Sequence, residues 1–202
     1  MTTDLSQITS PQRFLSRDEV LSKPSPIPDA NELYGWYFNK IPGKTPTDKC
    51  ITSDSKTLLY VGISPDKSSK PNSTQNLRKR ITYHYRGNAE GSTLRRTLGI
   101  LLAEESGYPL RRVGSGKRMT LTHDGERWLD EWMQENAFIC WMEHDEPWTI
   151  EEDLISIAHP PLNIVGNSKH HFYLTLRAVG KEAIEKAREL PFADDTRASR
   201  KD

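Results

Sequence analysis

The sequence predicts an α/β chain of the α+β kind, a small antiparallel sheet with helices around it, and three observations carry that reading. Residues 33–39 and 57–63 alternate bulky apolar or aromatic positions with smaller ones, which is the period-two signature of strands. Residues 137–142 form a short apolar run of strand length. Leu94, Leu98, Leu101 and Leu102 recur at helical spacing, and further stretches share that period. A chain of 202 residues is most simply one domain with loose ends.

The elements follow in order. Residues 1–30 are polar and end in Lys23, Pro24, Ser25, Pro26, Ile27 and Pro28, a stiff extended segment; a short helix precedes it, with Ser10 as N-cap and Pro11 at its first position. Residues 31–175 form the main domain, and residues 176–202 a C-terminal helix and a disordered tail. The connection 40–56 is long for a hairpin and rich in turn residues, so it reads as a mobile excursion, and 66–75 as a second flexible loop. A helix over 75–85 stops at Gly87 and Asn88, and another runs from Ser92 to Glu105 with Gly107 beyond it. Residues 111–113 and 117–121 flank Gly114, Ser115 and Gly116 as a small hairpin. Helices over 124–136, 149–158 and 176–190 complete the chain, the second started by a capping box of Thr149 and Glu152.

Net charge is zero, which alone speaks against a polyanionic partner, but the charges are segregated. Residues 76–118 hold ten basic and three acidic side chains, and residues 123–153 hold eleven acids and one arginine. Such a chain either presents a basic surface to a polyanion or pairs its charges across a solvated surface. No apolar run is long enough for a membrane span, and the cysteines Cys50 and Cys140 form no metal-ligand or disulfide pattern; a cytoplasmic protein is the default.

The most informative residues are Gly35, Trp36, Tyr37 and Tyr60, Val61, Gly62. Strand alternation puts Gly35 with Tyr37, and Tyr60 with Gly62, on a face of phenols beside bare backbone, open enough for a phosphate; Tyr34, Trp36 and Phe38 turn the other way. Arg80 and His84 share a helix face one turn apart, either as a solvated arginine beside a half-buried histidine or as a polar pair at the rim of the core. Glu151 falls on the apolar stripe of Leu154, Ile155 and Ala158, where a carboxylate needs a cation or an ion-pair partner. Asn163 follows Pro160 and Pro161, which hold it in place.

Taken in order, these motifs resemble the GIY-YIG nuclease family, over about residues 33–163, and the arginine-histidine pair is most similar to its homing and restriction endonuclease branches. The resemblance implies a sheet of about three antiparallel strands between helices. It also implies hydrolysis of DNA phosphodiester bonds with Mg²⁺ or Mn²⁺. Glu151 would bind the metal, Arg80 hold the scissile phosphate, Tyr37 act as general base or relay and Tyr60 orient water or phosphate. His84 would partner the Tyr37 proton and Asn163 would position the site. Duplex or branched DNA would be touched by Arg95, Arg96, Arg111, Arg112, Lys117 and Arg118, although the hairpin members also suit an ordinary basic turn. A homodimer is compatible with cutting both strands, and a catalytically silent DNA-binding module is the alternative function. His159, His170 and His171 are spaced poorly for a second metal site and read as surface residues.

Overall fold

All seven residues of β1 (Glu32–Phe38) are buried, which demands cover on both faces and both edges. The computed structural model, which describes residues 4–30, 32–64, 76–114 and 118–193, supplies it. β3 (Lys56–Ser64) lies antiparallel along one edge of β1 and β6 (Ala137–Glu143) along the other. A two-residue strand, β2 (Thr52–Ser53), extends the sheet to the order β2-β3-β1-β6, one strand more than the resemblance implied.

The additional strand comes from the connection that reads as mobile. Asp54 and Ser55 both have positive φ, as a tight hairpin turn requires, and return the chain into β3. Upstream, Thr45 is buried with its hydroxyl donating to the Pro42 carbonyl at 2.6 Å, and Lys40 pairs with Glu105 at 2.7 Å. The connection is thus anchored at buried Pro42 and Thr45, while most of its other residues are exposed or half-buried. Loop 66–75 and hairpin turn residues 115–117 lie outside the described residues, as does the tail from 194.

Helices cover both faces. α1 (Ser6–Thr9) and α2 (Arg17–Leu21) replace the single helix expected at Ser10, because the capping box here belongs to Ser16 and Glu19. Ile8, Leu15, Val20 and Ile27 are fully buried, and Leu15 exchanges both backbone hydrogen bonds with Ile139 on the outer edge of β6. α3 (Leu77–Arg86) is capped by Asn76 and stopped at Gly87. The helix expected to reach Glu105 divides at Leu102 into α4 (Thr93–Leu101) and α5 (Ala103–Ser106). β4 (Arg111–Val113) and β5 (Arg118–Thr120) form the small hairpin, and α6 (His123–Asn136) leads straight into β6. A 3₁₀ turn over Pro147–Thr149 precedes α7 (Glu151–Ala158). The Thr149 capping box is not formed, since the Thr149 hydroxyl donates to the Glu146 carbonyl and Ile150 occupies the cap position. α8 (Tyr173–Glu189) closes the fold, three residues earlier than periodicity predicts. None of the helices among the described residues is long and apolar enough to cross a membrane.

The sheet separates two cores. One joins Tyr34, Trp36, Phe38 and Tyr60 to Leu77, Ile81 and Tyr85 of α3, Leu94 and Leu98 of α4, and Leu129 and Met133 of α6. The other joins Leu33, Tyr37, Leu58, Val61 and Ile63 to Ile8 and to Leu154, Ile155 and Ala158 of α7. Each fully buried aliphatic or aromatic side chain contributes on the order of 1.5–3 kcal/mol. A buried charge cluster ties the helices of the first core together. Arg95, fully buried, pairs with Glu126 and Asp130 at 2.7 Å each and donates to the carbonyls of His84 and Tyr85 at the end of α3. Glu126 also accepts from the Ala89 amide and the Thr120 hydroxyl, both at 2.7 Å.

Candidate active site

Strand register decides which tyrosine meets the basic helix. Tyr34 stands opposite Gly62 and Trp36 opposite Tyr60, so Tyr34, Trp36 and Tyr60 share the face covered by α3. The register slips between Trp36 and Tyr37, where Leu59 has no partner on β1 and joins the same core as Tyr60. Gly62 has to be bare. A Cβ there would lie 2.5 Å from the Tyr34 hydroxyl oxygen and 2.6 Å from its Cζ, so the phenol of Tyr34 lies across this glycine.

That placement aims Tyr34 at α3. Its hydroxyl is 3.2 Å from His84 Nε2 and receives a hydrogen bond from Arg80 Nε at 3.4 Å. His84 is fully buried, its ring edge-on to Trp36, and its Nδ1 lies 2.8 Å from the Ser92 hydroxyl. The same hydroxyl caps α4 by accepting the Arg95 amide at 3.1 Å, so one serine fixes a helix start and an imidazole. Burial, and then the charges of Arg80 and Arg95, hold the His84 pKa well below its ordinary value, so the ring is neutral. A neutral ring offers one donor and one acceptor, shared between Ser92 and Tyr34.

Tyr60 completes the phenol pair. Burial and the neighbouring Tyr34 push its pKa up, Arg80 pulls it down with charge and a hydrogen bond, and the charge of Glu151 pushes it up again. Tyr60 thus stays protonated and lies within electrostatic reach of both Arg80 and Glu151. Glu151 opens α7 at half burial, on the helix whose Leu154, Ile155 and Ala158 pack under β3. Asn163 holds β3 itself, its side-chain amide pairing with both the N–H of Val61 at 2.9 Å and the C=O of Val61 at 2.8 Å. The residue beside Tyr60 is thereby fixed.

The structure moves Tyr37 away from this centre. It is fully buried on the opposite face, edge-on to Phe14, with its hydroxyl donating to the Ile8 carbonyl at 2.8 Å. Burial and the neighbouring Cys140 push its pKa up, which suits a core hydrogen bond and not a base. Trp36, expected to face away, lies under His84. The alternation within β1 is as expected, with Tyr34, Trp36 and Phe38 on one face and Tyr37 on the other, but Tyr60 and Gly62 share the face of Tyr34 and not that of Tyr37. Gly62 is the sequence signal for this, because a glycine at that register position makes room for an opposing ring.

Most of the basic side chains expected on DNA have internal acceptors. Arg95 is buried in its ion cluster, and Arg96 donates to the carbonyls of Ala89 and Glu90. Arg111 donates to the Pro191 carbonyl, Arg112 to those of Ala187 and Leu190, and Arg118 pairs with Glu90 at 2.7 Å. Lys117 lies outside the described residues. His170 stacks on His171, and His171 lies 3.5 Å from Asp48. No group of three or more His, Cys, Asp or Glu side chains able to hold a metal occurs among the described residues.

A further acid shares the face of Tyr34. Glu32 is fully buried, opposite Ser64 on one side and Glu143 on the other, and among the described residues neither its carboxylate oxygens nor the Ser64 hydroxyl has a hydrogen-bond partner. Burial first, and then Glu143, push its pKa up to about 8.

A guanidinium, two phenols and a neutral imidazole on one sheet face, with a carboxylate within electrostatic reach of Tyr60, make a centre suited to a phosphate group. The GIY-YIG catalytic domain matches residues 32–182, and the chain belongs to that family of nucleases acting on DNA. The antiparallel sheet flanked by helices, with its additional strand β2, is consistent with the fold of that family. No curated protein and no solved structure matches the chain.

Proposed function

We propose that the protein is a divalent-metal-dependent endonuclease that hydrolyses DNA phosphodiester bonds at a single site, with Tyr34 in the part the motif pattern gives to Tyr37. The observation that carries this reading is the convergence of Arg80 Nε and His84 Nε2 on the Tyr34 hydroxyl. Glu151 would be the carboxylate that binds the metal. A single carboxylate fits Mg²⁺ or Mn²⁺, which keep several waters and take phosphate oxygens from the substrate, better than it fits a closed protein cage. When bound, the ion polarises the phosphate and stabilises the leaving 3′ oxygen.

The chain's own groups divide the remaining work. Arg80 holds a non-bridging phosphate oxygen and offsets the charge that grows on it. Tyr60, kept protonated, donates to the phosphate or to the attacking water. Tyr34 takes the proton of that water as its own passes to His84. A free phenolate at neutral pH would cost roughly 4 kcal/mol. The relay replaces that cost with the cost of protonating the buried His84 ring, which the growing negative charge on the phosphate offsets in part. The relay needs a lone pair on Nε2, hence a proton on Nδ1, and the Ser92 hydroxyl is placed to accept it. Asn163 keeps β3, and with it Tyr60, in register.

Supercoiled plasmid incubated with Mg²⁺ or Mn²⁺ tests the proposal. Wild type and Tyr37→Phe are expected to nick or linearise it, whereas Glu151→Ala and Tyr34→Phe leave it intact. Wild type that binds the plasmid without cutting it identifies a silent DNA-binding module and ends the reading. Equal cutting by Glu151→Ala ends it too.

A further inference from the structure

With the sequence-predicted arginines occupied internally, the helix that carries Arg80 and His84 also carries a basic groove. A cavity of about 460 Å³ is lined by Lys79, Thr82, Tyr83 and Arg86 of α3 and by Asn88 beyond it. Lys79, Tyr83 and Arg86 recur at i, i+4 and i+7 and so form one stripe, flanking the stripe of Arg80 and His84 on the same helix. α3 contains no acidic residue. Arg86 is exposed and has no hydrogen-bond or ion-pair partner among the described residues. The cleft between α4 and α8 is also basic, but it includes Glu185 and lies on elements that carry none of the site residues.

The tyrosine in this groove is held in place by its surroundings. Tyr83 is 38% exposed, yet two glycines are bare beneath its ring. A Cβ on Gly87 would lie 2.7 Å from the ring, and one on Gly91 would collide with the hydroxyl. That hydroxyl also donates to Asn88 Oδ1 at 3.4 Å, and the same oxygen accepts the Gly91 amide at 3.1 Å. A large apolar ring kept at the surface by two close backbone approaches is a platform, set between cations and small polar side chains. These are the residue types that contact phosphates and sugars of a duplex.

We infer that the groove of Thr82, Tyr83 and Arg86 binds the sugar-phosphate backbone of duplex DNA on one side of the scissile bond. This inference rests on the nuclease reading. Lys79 to Arg86 spans roughly 10 Å of helix, about three phosphate steps of one strand. Arg86 supplies the charge and Tyr83 packs on a deoxyribose.

Fluorescence anisotropy with a 20-base-pair duplex, over a range of salt, tests the groove in a Glu151→Gln background that holds DNA uncut. Arg86→Gln is expected to weaken binding several-fold and to reduce the slope of log K against log salt by about 1. Tyr83→Leu weakens binding without changing the slope, Tyr83→Phe keeps it, and Arg112→Gln changes neither affinity nor slope. An unchanged slope in Arg86→Gln, or an equal loss in Arg112→Gln, overturns the inference. Plasmid cleavage by the wild type is scored separately. Cutting with an unaltered Arg86→Gln slope removes the groove and leaves the nuclease, whereas binding through Arg86 without cutting removes the nuclease and leaves a DNA-binding groove.

Discussion

Tyr34 and Tyr37 stand three residues apart on one strand, both buried, and the sheet gives them opposite uses. Tyr34 lies across Gly62 toward Arg80 and His84. Tyr37 lies beneath the sheet, its hydroxyl closed onto the Ile8 carbonyl. Residue type and burial are equal, so neither decides which phenol does chemistry. The partner does. A backbone carbonyl can only accept, which keeps the Tyr37 proton where it is, whereas a neutral imidazole offers the Tyr34 proton somewhere to go.

Exchanging either hydroxyl for hydrogen separates the two directly. Tyr34→Phe is expected to lower the rate of DNA cleavage by about 10² to 10⁴, with a stability loss of only about 1 kcal/mol. Next in size is the acid on the Tyr34 face. Glu32 holds its proton up to about pH 8 in the fold, against 4.5 for an ordinary glutamate. Between those values the folded chain binds a proton that the unfolded chain has lost, so stability falls as pH rises through that window, by up to roughly 4 kcal/mol. Denaturant melts at pH 5 and pH 9 should show that loss in wild type and not in Glu32→Gln; parallel losses in both would remove Glu32 as the cause.

The glycines sharpen the comparison further. Gly62→Ala displaces the Tyr34 ring and should lower cleavage by about 10- to 100-fold, since small misplacements of a reacting group are costly. Gly35 would place its Cβ 3.0 Å or more from side chains of Leu58, Ile8 and Cys140, which belong to the Tyr37 core, so Gly35→Ala should affect stability and spare the rate. Ser92→Ala removes the partner of His84 Nδ1 and is expected to lower the rate about tenfold and alter its pH profile, with Ser92→Thr restoring both. Last is Tyr37→Phe, which loses one buried hydrogen bond and about 1 kcal/mol by denaturant melt, with cleavage intact.

Much of this was legible in the chain. Spacing placed Arg80 and His84 on one helical face, and the apolar stripe around Glu151 marked that carboxylate as unusual. The three long strands and most helices also follow from periodicity. What failed has physical causes. Face parity depends on register, and register here includes a slip at Leu59 that no single strand reveals. The capping box at Thr149 lost to a 3₁₀ turn started by Pro147. Basic residues such as Arg95 and Arg112 looked available because their acceptors, Glu126 and the Ala187 carbonyl, lie 31 and 75 positions away in sequence.

The side-chain amide of Asn163 has a second consequence. β2 and the adjoining Ile51 cover β3 only from Lys56 to Leu58, which would leave the rest of that strand as an open hydrogen-bonding edge, the kind that recruits a second copy of the chain. Asn163 pairs with both polar groups of Val61, and the Leu162 amide donates to the Leu59 carbonyl at 3.0 Å, so the segment after α7 closes the edge as a strand would. Resistance to aggregation and the alignment of Tyr60 therefore depend on the same contact, and a chain that loses it would be sticky as well as inactive.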